Sequence, residues 1–224
     1  MKTLRPASEV ADRAVYDPSC ARCPRLVSYR SRCHDQHPDY WCRPVPSFGD
    51  PAPRIVLVGL APGLHGANRT GRPFTGDHAG ILLYETLFRL GFANQPTSVS
   101  ADDPLRLRGV RIVNAVKCVP PENKPLPEEI RRCNAYLHAE LAALEGVRVL
   151  VALGRIGHDA ALTALALKRS AFPFGHGREH RLDATRYLLD SYHCSRYNTQ
   201  TRRLTAPMFR AVLERARELA EVRW

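Results

Sequence analysis

The sequence predicts an α/β protein built on a mostly parallel sheet of four strands. Two observations carry this. Four apolar, β-branched segments alternate with stretches of helical periodicity. The first and third segments are apolar nearly throughout, as strands covered on both faces are. A third observation concerns function: each segment runs into a polar or Gly/Pro-rich loop, and parallel sheets bind ligands outside the carboxyl ends of their strands.

The elements follow in chain order. The first ~50 residues read as an N-terminal extension containing one helix, attached to a single domain that takes in all of residues 1–224. The predicted strands are RIVLVGL (54–60), VRIVNAVK (110–117), VRVLVALG (147–154) and RYLLDSYH (186–193). Helical patterns follow in GILLYETLFRL, in PEEIRRCNAYLHAELAAL, in RIGHDAALTALAL and in the C-terminal APMFRAVLERARELAEV. Pro127 and the two glutamates after it suit a helix N-terminus. The four loops are APGLHGANRTGRPFTGD, CVPPENKP, GRIGHD and HCSRYNTQT, and the fold gathers them on one rim.

The chain has 224 residues, with 33 Lys and Arg against 22 Asp and Glu, a formal charge of +11. Such an excess favours a polyanionic partner, because cations that neutralise phosphates release counterions. No run approaches the ~20 apolar residues of a membrane span, and the N-terminus lacks the apolar stretch of a signal peptide. The expectation is a cytoplasmic protein with no membrane partner.

Seven cysteines in a cytoplasmic chain argue against disulfides. Cys20 and Cys23 form a C-x-x-C, and on a helix that spacing puts both sulfurs on one face. Cys118 follows the second strand, and Cys133 lies fifteen residues on, across a proline-rich loop. Four soft thiolates suit either zinc or an iron–sulfur cluster; ordinary buried cysteines are the alternative for Cys118 and Cys133. Cys33 and Cys42 read as free thiols, and Cys194 has no pairing.

Taken together, GLAPGLHGANRTGRPFTGD (59–77), VKCVPPENKPLPEEIRRC (116–133), VALGRI (151–156) and SYHCSRYNTQTRRLT (191–205) resemble the type-5, or family B, uracil-DNA glycosylases. The resemblance runs in family order from about Cys20 to the C-terminal helix. It implies a three-layer α/β/α sandwich around the short, mostly parallel sheet, and a 4Fe-4S cluster held by Cys20, Cys23, Cys118 and Cys133. It implies hydrolytic removal of uracil, and of other deaminated bases such as hypoxanthine, from single- or double-stranded DNA by a monomer.

A base must leave the duplex before its glycosidic bond can be reached. Phe74 offers a stacking face, and the resemblance sets Gly59 and Ala61 beside the base. His193 could hydrogen-bond a uracil carbonyl as charge builds on the leaving base; a satisfied strand-end histidine is the alternative. Asn123, in PPENKP, could match an amide-like base edge or be a plain turn residue. Asn114 competes for that role: type-4 glycosylases carry an asparagine there, whereas type-5 members usually have a small residue.

Asp77 is the one acid of the first loop. Leu60 stands where type-4 members have a glutamate, so Asp77 is left to orient water or to stabilise the sugar cation. It is also a suitable N-cap for the helix that follows. His65, Asn68, Arg69, Ser195, Arg196, Tyr197 and Asn198 are expected at the DNA, with Arg202 and Arg203 adding charge and Tyr197 wedging into the gap left by the flipped base. Two other readings stay open: a metal- or cluster-stabilised nucleic-acid-binding module without catalysis, and a different α/β hydrolase or transferase. The first loop lacks G-x-x-x-x-G-K-[ST], which disfavours a P-loop.

Overall fold

A computed structural model describes residues 15–221. The elements in order are α1 (Pro24–Gln36), β1 (Phe48–Gly49), β2 (Ile55–Gly59), α2 (Ala67–Thr70), α3 (His78–Arg89), β3 (Val110–Asn114), α4 (Pro127–Ala143), β4 (Val149–Leu153), α5 (Arg155–Ala164), β5 (Glu179–Arg181), β6 (Tyr187–Ser191), α6 (Arg196–Gln200) and α7 (Ala206–Leu219). Strand order is β1-β3-β2-β4-β6-β5. The four expected strands form the centre and are mutually parallel, while β1 and β5 add short antiparallel edges. The sheet thus has six strands rather than four. The two extra strands are only two and three residues long, too short to leave a periodic signal.

Alternation along the central strands sorts the core into two layers. Ile55, Leu57, Val149, Val151 and Leu189 pack against Leu83 and Leu87 of α3 and Phe209 and Leu213 of α7. Val56, Val58, Leu150, Ala152 and Leu188 face Leu137 and Leu141 of α4 and Ala160 and Ala161 of α5. β2, β4 and the carboxyl half of β3 are buried at every position, which is why they read as continuous apolar runs.

β2 lies between β3 on one side and β4 on the other. The crossovers therefore diverge beside its carboxyl end, the switch point where a parallel sheet opens a crevice. Gly59 and Asn114 are register partners at that end.

The N-terminal extension is fastened to α4. The Arg25 guanidinium donates to both carboxylate oxygens of Glu129, at 2.8 and 2.7 Å, and Glu129 also accepts from the Leu126 amide at 2.7 Å. The C-x-x-C spacing predicts one shared helix face, but Cys20 and Cys23 are not on a helix. They lie in the turn before α1, with Cys23 extended at its N-cap and Pro24 at its first position. Proline disfavours helical backbone in the residue before it, so Pro24 keeps Cys23 out of α1. Among the described residues, no helix is long and apolar enough to cross a membrane.

Candidate active site

The loop after β2 turns back over the sheet and delivers Phe74 to the end of β2. Phe74 is buried and has a left-handed backbone, φ 54°. A bulky residue held in that region is strained, and such strain is kept where the surrounding structure demands it. Thr75 and Tyr84 fix the turn: the Thr75 hydroxyl and the Tyr84 hydroxyl both donate to the Pro73 carbonyl, at 3.2 and 2.7 Å. The Phe74 ring comes so close to Gly59 that a Cβ there would lie 2.8 Å from it and 2.5 Å from Asn114 Oδ1. Only glycine admits this approach.

Asn114 is buried, and its Oδ1 has no hydrogen-bond partner. An orphaned buried acceptor costs about 1–3 kcal/mol and calls for an explanation. It sits at the floor beside Phe74, where a base edge would arrive. Asn123 lies elsewhere, exposed on a left-handed turn (φ 58°). Its Oδ1 and Asp77 Oδ2 face Gly63, lying 3.9 and 3.3 Å from where a Cβ would be. Asn114 therefore occupies the floor, and Asn123 the rim beside Asp77.

Asp77 caps α3, accepting from the Gly80 amide at 3.1 Å. A Cβ on Gly66 would stand 2.4 Å from Asp77 Oδ2, so the loop closes tightly around the carboxylate. Burial pushes the Asp77 carboxyl up, opposed by the backbone bonds from Gly80 and Ala79 and by the nearby His78. The next residue, His78, bonds Thr199 Oγ1 at 3.0 Å and ties the Asp77 turn to α6.

His193 follows β6, its ring stacked on Phe74 with centroids 5.9 Å apart and planes at 28°. Burial alone pushes it down to about 4, so it is a neutral imidazole near neutrality. Its backbone is held by Asn198, whose Nδ2 donates to the His193 carbonyl at 2.8 Å. A cleft of about 410 Å³ opens beside it, lined by Gly154, Arg155, Phe174, Tyr192 and Arg203 among others.

The expected DNA-facing residues divide. Arg69, Arg196 and His65 line one cleft with Asp77. Tyr197 is 70% exposed. Ser195 caps α6, accepting from the Asn198 amide at 3.4 Å. Asn68 is a correction: it is fully buried and its Nδ2 donates to Cys42 Sγ at 3.4 Å, because α2 turns that side chain inward. The Ala61 side chain packs against Leu26, Val116 and Cys118, away from the pocket, so only its backbone is left to meet a base. Sequence reasoning missed the wall formed by Phe174 and Tyr192, and gave Arg203 only a charge; its guanidinium is stacked 4.5 Å from the Tyr192 ring. Phe174 and Arg203 stand some thirty residues apart in the chain, and no local pattern links them.

Cys20, Cys23, Cys118 and Cys133 line one enclosed pocket with Leu26, Val116 and Tyr136. The Lys117 amide donates to Cys133 Sγ at 3.3 Å. Arg30 is buried beside it; Nη2 donates to the Cys20 carbonyl at 3.0 Å, while Nε and Nη1 have no partner. Four thiols lining one pocket, with the Arg30 charge acting on Cys118, fit an anionic metal–thiolate centre. Among the described residues, the one group of three or more possible ligand atoms within 4.8 Å of one another is His158, His180 and Asp190. The four sulfurs therefore spread more widely than the ~3.8 Å edges of a zinc–thiolate tetrahedron. Cys33 and Cys42 lie in a separate cluster with Val119.

Residues 46–217 match the family described as the uracil DNA glycosylase superfamily. The chain is 53% identical over 208 residues to a type-5 uracil-DNA glycosylase of Thermus thermophilus, covering 90% of this chain and 94% of the relative. It is 46% identical over 202 residues to a type-5 uracil-DNA glycosylase of Pyrobaculum aerophilum, covering 88% of each. A type-4 uracil-DNA glycosylase of Archaeoglobus fulgidus is 40% identical over 112 residues, covering 50% of this chain and 48% of the relative.

Proposed function

The chain belongs to the uracil DNA glycosylase superfamily, and from that membership we infer that it hydrolyses the N-glycosidic bond of uracil in DNA and leaves an abasic site. It is a monofunctional glycosylase of base excision repair. The observation that carries the reading at the level of residues is the orphaned Asn114 Oδ1 beneath Phe74 and beside Gly59.

A flipped base stacks on Phe74. Asn114 Oδ1 accepts the N–H of its edge, and the Asn114 amide N–H donates to the neighbouring carbonyl. That pairing of N–H beside C=O is what deamination creates. Hypoxanthine presents it as uracil does, so the same floor reads both, and the substrate range extends to deaminated purines. His193, neutral at working pH, donates to the carbonyl on which charge develops as the base departs. Asp77 positions the water or stabilises the sugar cation, with Asn123 beside it.

Arg69, Arg196, Arg203 and the exposed Tyr197 meet the DNA, in single- or double-stranded form. Cys20, Cys23, Cys118 and Cys133 hold a 4Fe-4S cluster, which when bound fastens the N-terminal extension to the loop after β3. The chain works as a cytoplasmic monomer, one catalytic domain with a cluster-bearing extension.

The test is incubation of purified protein with uracil- and hypoxanthine-containing strands, followed by alkali. Cleavage that appears only after alkali is expected. Intact uracil strands would overturn the reading and leave a binding module; cleavage before alkali would add a lyase step. A brown protein supports the cluster, and a colourless one with stoichiometric zinc in the cysteine pocket would refute it.

A further inference from the structure

Three residues before His193, a second group of ligating side chains is buried on the α5 face of the sheet. Asp190 of β6 is fully buried, His158 of α5 is 1% exposed and the His180 side chain of β5 is 9% exposed. One ligand atom from each lies within 4.8 Å of the other two.

The hydrogen bonds constrain what stands between them. His158 Nε2 is 2.8 Å from the Phe172 carbonyl. A carbonyl only accepts, so Nε2 carries a hydrogen. That leaves His158 Nδ1 facing Asp190 Oδ1 at 2.6 Å. A bare nitrogen lone pair against a carboxylate is repulsive, so at 2.6 Å a proton joins the pair, and a metal ion could replace that proton only if the two side chains part. His180 gives the reason to consider an ion shared by all three. Its Nε2 is buried with no hydrogen-bond partner, 3.5 Å from Asp190 Oδ2. A proton joins His158 to Asp190 and leaves His180 with only its long approach to the carboxylate, whereas a metal ion would engage all three.

We propose that His158 Nδ1, His180 Nε2 and the Asp190 carboxylate bind a divalent transition metal of the zinc class, at a site separate from the cysteine pocket. Two imidazoles select zinc-like ions over magnesium or calcium, which take oxygen. Bonds of about 2.0–2.2 Å make ligand–ligand edges of about 3.3–3.5 Å. His180 and Asp190, 3.5 Å apart, already match that edge, whereas His158 and Asp190, 2.6 Å apart, stand at hydrogen-bond distance and must part by roughly 0.7 Å to admit an ion. The outer shell is already in place. His158 Nε2–H donates to the Phe172 carbonyl, the bond that orients a metal-binding imidazole. The Gly175 amide donates to Asp190 Oδ2 at 3.1 Å and orients the carboxylate.

The ion would pin the segment from Phe172 to Arg181 against β6. Phe174 and Gly175 of that segment line the cleft beside His193, so the site is a structural support for the pocket wall.

The experiment uses iron-loaded protein exposed to zinc sulfate and then desalted. We expect about one zinc retained per chain with iron unchanged, and a thermal transition raised by zinc. His180→Ala should retain at least about tenfold less zinc and lose the thermal response. Should His180→Ala fail to fold, cobalt(II) added to the wild-type chain decides: ligand-field bands without sulfur-to-cobalt charge transfer support the site. A wild-type chain that emerges zinc-free, equal zinc retention by folded His180→Ala, or a sulfur-ligated cobalt spectrum would overturn it. None of these readouts passes through base excision.

Discussion

Gly59 and Asn114 are register partners on adjacent parallel strands, and a methyl group on Gly59 would meet Asn114 Oδ1 at 2.5 Å and the Phe74 ring at 2.8 Å. The close approach of Phe74 to the end of β2 exists because one side chain is missing. Gly59→Ala should therefore lower uracil excision by about 10²-fold by misplacing Phe74 and Asn114, while DNA affinity, carried by surface cations, stays near wild type. Single-turnover kinetics and a filter-binding titration check the two halves. Unchanged excision would show that the base lies elsewhere.

Asn114→Ala should separate stability from activity. The orphaned Oδ1 costs about 1–3 kcal/mol in the free protein, so its removal should leave the thermal transition unchanged or raised. Excision should fall by about 10²-fold or more, since a base edge then loses its partner. A variant that is both less stable and fully active would identify Asn114 as structural.

Asp77→Asn tests the carboxylate. Burial raises the folded-state pKa of Asp77 above the ordinary value of 3.8. A group raised on folding contributes stability below the unfolded value and loses it as pH rises through the folded one. Once ionised, Asp77 thus weighs against folding, and Asp77→Asn, which keeps a capping amide, should be at least as stable above the folded-state pKa. Its excision should fall by at least about 10²-fold. Wild-type excision should decline on the acid side as the carboxylate takes a proton. Melting curves and a pH–rate profile measure both.

His193 carries the opposite sign. Its pKa is pushed down to about 4 from 6.5, so below 6.5 the unfolded chain binds a proton that the folded chain refuses. This contribution to stability is complete above about 6.5 and is lost as pH falls toward 4. Between pH 6.5 and 8 His193 stays neutral, and kcat should show no limb from its titration there. His193→Phe should flatten this part of the acid destabilisation and lower excision by about 10²-fold. An unchanged rate would remove His193 from the chemistry.

Cysteine substitutions should split into two classes. Cys118→Ser and Cys133→Ser alter the pocket shared with Cys20 and Cys23 and should lose iron, colour and thermal stability together. Cys33→Ser and Cys42→Ser lie in another cluster and should keep their iron. Iron analysis and melting curves check this; iron lost equally from both classes would overturn the assignment of ligands.

The sequence by itself determined the central sheet, its flanking helices and the loops at its carboxyl rim. Those features are written in local periods: buried parallel strands read as apolar runs, amphipathic helices repeat every 3.6 residues, and Asp77 sits where a helix must be capped. Motif resemblance supplied the four cysteines and the residues of the first loop. What only the tertiary structure decided depends on distance across the chain. The register that sets Gly59 against Asn114 chose the floor asparagine and sent Asn123 to the rim. The inward turn of α2 took Asn68 away from the surface. Pro24 kept the C-x-x-C out of α1, a backbone rule readable at one residue but overridden in the spacing argument. The His158, His180 and Asp190 group joins three elements with no motif between them. Packing, unlike periodicity, leaves no local trace, so such pairings become visible only when the strands are in register.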